Sequence, residues 1–329
     1  MKNLKTLIKK ALQNKKVLLL KGAPGVGKSS LIETCAREID SDVVTFLGSI
    51  CDPVDLKGFP YEKNGKAGFL PFGQLDKLLN PNGLTTFFLD DIGQSPSLVQ
   101  AGFMQWILLR QVNGAEIADN VRFIAATNER KHKAGVSQVL APLVNRCTVI
   151  EMQPVLEEWV ADFALQNVRP EVIAFFRLRP ELFGKCDSIN DLENFPSPRA
   201  IANMSEWIDL QVTDLEVFTG CVGPAVATEF SAFLRVYESL KDLPAKILSD
   251  PENAPVPSKM DLLYALTGML RHKANPLTIN AIATYSNKLP NEFNTLLWND
   301  LRNKGGEVVE THAFAQWTAK KGGEFNANS

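Results

Sequence analysis

Residues 22–29 read GAPGVGKS, a spacing of glycines, lysine and serine that fits G-x-x-x-x-G-K-[ST]. The glycines let the backbone curl until its N–H groups point inward, and the helix that follows adds partial positive charge at the same place. Such a cradle suits a polyphosphate. Gly22, Ala23, Pro24, Gly25, Val26 and Gly27 would wrap it, with Ser30 just inside the helix. Lys28 would reach the β and γ phosphates, and the Ser29 hydroxyl would hold Mg²⁺. A chance match in a chain of this length is on the order of 1%.

A second stretch, TTFFLDDIGQ at 85–94, runs from β-prone apolar residues onto two adjacent aspartates. With a phosphate site nearby, Asp90 reads as the acid that holds Mg²⁺ through water. Asp91, one step on, reads as the general base for an attacking water; a solvated turn is the plain alternative. Asn128 ends a later apolar run, AATN, where an amide could help hold that water, although asparagine after a strand is also a common turn former. Arg146 precedes the last apolar run and could present a guanidinium to phosphate or make a surface ion pair. In PSPRA at 196–200, Ser197 reads as N-cap, Pro198 as the first helical residue and Arg199 as a first-turn cation. A cation there is unfavourable against the helix dipole, so it calls for an anion, either a triphosphate or an ordinary carboxylate.

These residues need elements to hold them. Helical spacing over 3–13 leads to an apolar strand at 17–20, the glycine-rich turn, a helix at 28–39 and a strand at 43–47. An insertion at 49–83 carries Asn64-Gly65, suited to a type I′ hairpin, and a short helix at 74–79. A strand at 86–90, a helix opened by Ser95-Pro96 through 109, and a second tight turn at Asn113-Gly114 follow. Strands at 121–126 and 147–151 flank a helix at about 136–145. The expectation is an α/β fold: a P-loop αβα sandwich with a five-stranded parallel sheet, then an all-helical lid and a helical C-terminal extension. The divisions are 1–153 for the nucleotide-binding domain, 154–215 for the lid and 216–329 for the extension. The last eight residues, GGEFNANS, read as disordered.

The chain has 329 residues, 45% hydrophobic and 22% charged, with a formal net charge of −2. That balance suits a soluble globular protein and gives no bulk attraction for nucleic acid, though Arg130, Lys131 and Lys133 form a local basic cluster. Five cysteines without a close pair read as reduced thiols, and lysines at 9, 10, 15, 16 and 21 interrupt any signal-length apolar run. No segment is apolar for the length of a membrane span. The expected location is the cytoplasm.

Together the motifs resemble those of the AAA+ ATPases, and within them the MoxR-like group. GAPGVGKS is similar to Walker A, FFLDD to Walker B, ATN to sensor 1 with Asn128, PLVNRC to the arginine-finger segment with Arg146, and SPRA to sensor 2 with Arg199. DPVDLKGF at 52–59, AGFLPFGQL and LDDIGQSPSLVQAGFMQWILLRQVNG are similar to the MoxR-like group in particular. The acid pair departs from the usual Asp-Glu, because Asp91 is one methylene shorter. The resemblance implies ATP and Mg²⁺ as cofactors and a hexameric ring or spiral in which Arg146 acts on the neighbouring subunit's nucleotide. It also implies a chaperone-like action on a protein client, with a von Willebrand A domain partner. The alternatives are an AAA+ ATPase acting on DNA and a slow, nucleotide-dependent scaffold. The insertion around Phe59, Tyr61 and Phe69 is either a substrate-facing hairpin or a structural one.

Overall fold

The computed structural model describes residues 2–128, 139–186 and 193–326, and it divides into two compact units, Met1–Gln153 and Pro154–Ser329. In the first unit α1 (Lys2–Gln13) leads to β1 (Leu18–Gly22), α2 (Lys28–Arg37) and β2 (Asp42–Leu47). The inserted segment forms α3 (Pro53–Lys57), a hairpin of β3 (Phe59–Lys63) and β4 (Lys66–Leu70), and α4 (Gln74–Leu79). Then come β5 (Thr85–Asp90), α5 (Ser97–Leu109), a small hairpin of β6 (Gln111–Val112) and β7 (Ala115–Glu116), β8 (Val121–Asn128), α6 (Ala141–Val144) and β9 (Thr148–Glu151).

Five strands form one sheet in the order β2-β5-β8-β1-β9, and every pairing in it is parallel. Both faces are covered, as parallel sheets require. Alternate residues serve two cores: Leu19, Phe87, Leu89, Phe123 and Ala125 face the side of α3, α4 and α5, and Leu18, Leu20, Phe88, Ile124 and Ala126 face α1 and α2. The period of two explains why the strands read as unbroken apolar runs.

Local chemistry sets the boundaries. Asn64 and Gly65 take φ of 57° and 74°, and Asn113 and Gly114 take 49° and 88°, the pair of positive φ values that a type I′ hairpin turn needs. Asp52 and Asp55 make a capping box that starts α3. At α5 the expected serine cap gives way: Pro96 is the N-cap and the helix opens at Ser97, because Gln94 and Ser95 close a short 3-10 turn at Ile92–Gln94 first. The helix expected at 136–145 is described only as the single turn α6, and Arg130, Lys131 and Lys133 lie outside the described residues.

Among its described residues the second unit has helices and connecting loops and no strand. It contains α7 (Leu156–Trp159), a π turn at Val160–Ala164, α8 (Leu165–Asn167), α9 (Pro170–Leu178), α10 (Pro198–Asp209), α11 (Leu215–Val222) and α12 (Pro224–Ser239). It continues with α13 (Leu243–Ser249), α14 (Met260–Lys273), α15 (Ile279–Ser286), α16 (Asn291–Lys304) and α17 (His312–Asn326). Helix α17 reaches into the tail expected to be disordered, because Phe314 and Trp317 anchor it beside Trp298 and extending a formed helix costs little per residue.

One core gathers Phe175, Phe176, Ile201, Phe218 and Phe230, so residues on both sides of position 215 share it. A second core lies around Tyr285, Phe293, Leu297 and Trp298. Arg177 on α9 joins the two. Its guanidinium donates to both carboxylate oxygens of Asp300 on α16, at 2.6 and 2.8 Å, and to both of Glu157 on α7, at 3.0 and 2.8 Å. Burial alone would lower the Arg177 pKa, but the Asp300 and Glu157 carboxylates more than offset that and raise it. Replacing Asp300 with Ala leaves a buried cation half-compensated, and the expected loss is roughly 3 kcal/mol. It should appear as an earlier helical unfolding transition in a urea titration followed by circular dichroism.

Candidate active site

The C-terminal ends of β1, β5 and β8 lie side by side, and parallel register brings the site together. Gly22, the last residue of β1, stands opposite Asn128, the last of β8, and Leu89 on β5 stands opposite Ala125. The loop after β1 then turns into α2. Gly27 is the N-cap of α2 with φ of 93°, a left-handed conformation that glycine adopts without strain. At Gly22 a Cβ would sit 2.5 Å from the Met152 carbonyl oxygen, so only glycine lets the loop leave the sheet beside β9.

Lys28 is buried, with 7% of its surface exposed. Its ammonium donates to Gly22 O at 3.0 Å, Ala23 O at 2.9 Å and Asn128 Oδ1 at 2.8 Å. The charge is thus held over the mouth of the loop, where a phosphate oxygen would be a strong, charge-assisted partner. Ser29 Oγ donates to Asp90 Oδ2 at 2.9 Å, while Asp90 Oδ1 accepts from the Asp91 backbone N–H at 2.9 Å. A hydroxyl and a carboxylate at that spacing are hard oxygen donors of the kind Mg²⁺ takes, so the pair fits a magnesium ion bound with a nucleotide. The dipole of α2 adds positive potential at the loop.

Asp91 takes φ of 51° and ψ of 38°. This left-handed bend is one that aspartate tolerates better than most side chains. It turns the second carboxylate from Asp90 toward β8, where Asn128 Nδ2 donates to Asp91 Oδ1 at 2.8 Å. Asn128 therefore accepts from Lys28 and donates to Asp91, and both bonds require the same orientation of its amide. A carboxylate oriented in this way by the amide is placed to take a proton from a water.

The two arginines lie on other elements. Arg146 is exposed in the turn between α6 and β9, two residues beyond the helix end, and its Nη1 donates to Pro142 O at 2.7 Å. Arg199 is exposed in the first turn of α10, in the second unit. The cap there has the expected form, with Ser197 accepting from Ala200 N at 3.2 Å and Pro198 at the first helical position.

Sequence reasoning overlooked Gln100, which is fully buried on α5. Its Nε2 donates to Ser95 O at 3.1 Å and its Oε1 accepts from Leu140 N at 2.9 Å. One side chain thus ties the segment after the acid pair to the residue that opens α6. The available signal was a lone amide within an apolar helical stripe. The cysteines lie elsewhere, and burial pushes the thiols of Cys35, Cys51 and Cys147 up to about 11, which leaves them protonated and unreactive at neutral pH.

Residues 18–155 match the family model described as "ATPase family associated with various cellular activities (AAA)", and it is to that family's domain that this stretch is similar. Among solved structures, the chain is similar to the RuvB Holliday junction branch migration motor of Thermotoga maritima, at 16% identity and a TM-score of 0.40 over 86% of this chain and 79% of that one. It is similar also to NtrX from Brucella abortus, at 13% identity and a TM-score of 0.43 over 92% of this chain and 68% of that one. No helix among the described residues is long and apolar enough to cross a membrane.

Replacing Asn128 with Ala removes both of its bonds without emptying the core. Turnover of a nucleoside triphosphate is expected to fall by roughly 10²-fold, as when a single positioned donor is lost. The thermal midpoint should stay within a few degrees, measured by phosphate release and scanning calorimetry on the same preparation.

Proposed function

We propose that this chain is a magnesium-dependent ATPase of the AAA+ type, within the MoxR-like group, that works as a ring or spiral of copies on a protein client. The carrying observation is that Lys28, Ser29, Asp90, Asp91 and Asn128 form one hydrogen-bonded set at the ends of three adjacent strands. When bound, Mg²⁺ supplies neutralisation of charge on the β and γ phosphates.

The protein's own groups account for the remainder of the chemistry. Lys28 exchanges the Gly22 and Ala23 carbonyls for phosphate oxygens, and the loop from Gly22 to Ser30 wraps the triphosphate. Asn128 stays against Asp91 and orients the attacking water, from which Asp91 takes a proton. The carboxylate that resembles the family's glutamate is one methylene shorter, so the reading includes slow hydrolysis.

Arg146 is exposed on its turn and free of the Lys28 set, which suits a cation offered to the nucleotide of a neighbouring copy. Arg199 would bind the same triphosphate from a lid at 154–215, with 216–329 as the extension. Support for the MoxR-like assignment is the stretch 52–59, which opens α3 with its capping box ahead of the β3–β4 hairpin. A von Willebrand A domain partner and a cytoplasmic setting belong to the same reading.

Lys28→Ala should abolish measurable ATP hydrolysis, because nothing else buried in the loop carries a positive charge; unchanged steady-state turnover would overturn the assignment. For Arg146→Ala, nucleotide affinity by titration is expected to match the parent while hydrolysis drops roughly 10³-fold. Mixing Arg146→Ala with Asp91→Asn should recover part of the activity, since one pairing of subunits then has both groups intact. Absence of recovery, together with a particle mass that is monomeric with and without ATP, would rule out sites formed between copies.

A further inference from the structure

Beside the acid turn, at the free edge of the sheet, lies a cavity of about 270 Å³. It adjoins β2, one of the two outermost strands. Leu47 of that strand is in register with Asp90, and the next N–H, of Gly48, donates to Asp90 O at 2.9 Å. Pockets that take a cofactor or drug-sized molecule span about 300–1,000 Å³, so this one is of a size for one or two side chains.

Three features state what would fill it. The walls are apolar and open: Phe46, Leu47, Ile50, Phe72 and Leu75 line them, and Ile50 is 77% exposed. One wall carries the carboxylate of Asp55, whose Oδ2 accepts from Asp52 N at 2.8 Å; its charge selects a cation and repels a polyanion. The main chain of an edge strand is itself a template, and here the Thr45 carbonyl accepts from the Gln74 side chain at 3.0 Å, a place where a further strand can bond.

We propose that this edge binds an extended, apolar peptide segment bearing a basic residue. Its backbone lies along β2, one apolar side chain enters the cavity, and the lysine or arginine meets Asp55. Gln74 holds the edge in the free protein and yields its bond to Thr45 when the segment arrives. The proposal rests on the reading of the chain as acting on a protein client, and it names the chemistry of the segment recognised.

The probe is a fluorescein-labelled peptide of alternating Val and Thr with a central Phe-Lys, followed by anisotropy on the full chain without nucleotide. Saturable binding is expected. Ile50→Asp, an exposed substitution, should weaken it roughly tenfold by placing an unpaired carboxylate in the apolar wall. Exchanging the peptide's Lys for Glu should weaken it roughly tenfold as well, and Gln74→Ala should tighten it by freeing the Thr45 carbonyl. Hydrolysis of ATP by Ile50→Asp in the absence of peptide should equal the parent's. No saturable binding, equal affinity in Ile50→Asp, or displacement of the peptide by a single-stranded oligonucleotide would overturn the site while leaving the ATPase reading intact. Peptide binding that follows the expected pattern beside undiminished hydrolysis in Lys28→Ala would support the site and overturn the ATPase reading.

Discussion

The amide of Asn128, accepting from the Lys28 ammonium and donating to the Asp91 carboxylate, is the contact on which the site depends. Two adjacent aspartates at the end of a buried strand repel each other and lose solvation, a cost that must be met by fixed dipoles and charges. Ser29 serves one carboxylate and Asn128 the other, and Lys28 supplies positive charge through Asn128. Removing any one of the three costs a neighbour one of its bonds.

That arrangement is possible because the sheet is parallel and the three strands end together. Gly22 opposite Asn128 fixes the start of the loop against the amide, and the left-handed bend at Asp91 brings its carboxylate to Asn128 while that of Asp90 meets Ser29. A right-handed continuation would send the second acid elsewhere. The strain at Asp91 is thus placed where two side chains need different directions from neighbouring residues. Gln100 extends the same constraint outward, joining the acid segment to the residue that opens α6.

The two units meet the entropy cost of folding in different ways. The first relies on strands that serve two cores at once, Phe87 to one side and Phe88 to the other. The second relies on aromatic clusters on helices, with the Arg177 ion pairs between its two cores. A buried arginine of this kind is costly to desolvate and adds little net stability, but it penalises helix arrangements that leave it unpaired.

Motif spacing made most of the first unit legible. GAPGVGKS and FFLDD are local patterns whose chemistry follows from residue type, the apolar runs marked the strands, and Asn64-Gly65 and Asn113-Gly114 marked the hairpins. The cap at Ser197 was equally local. Less legible were features decided by competition between neighbours: Pro96 displaced Ser95 as a cap because a 3-10 turn came first, and α17 ran on into the polar tail because Trp317 anchored it. The sequence by itself determined the element order and which residues carry charge at strand ends, since both depend on short-range periodicity and backbone preference. Only the tertiary structure decided that Asn128 would meet both Lys28 and Asp91, that Gln100 would tie two distant segments, and that β2 would stand at the open edge beside a cavity. Those are contacts between residues far apart in sequence, and their geometry comes from register and packing, which no single segment encodes.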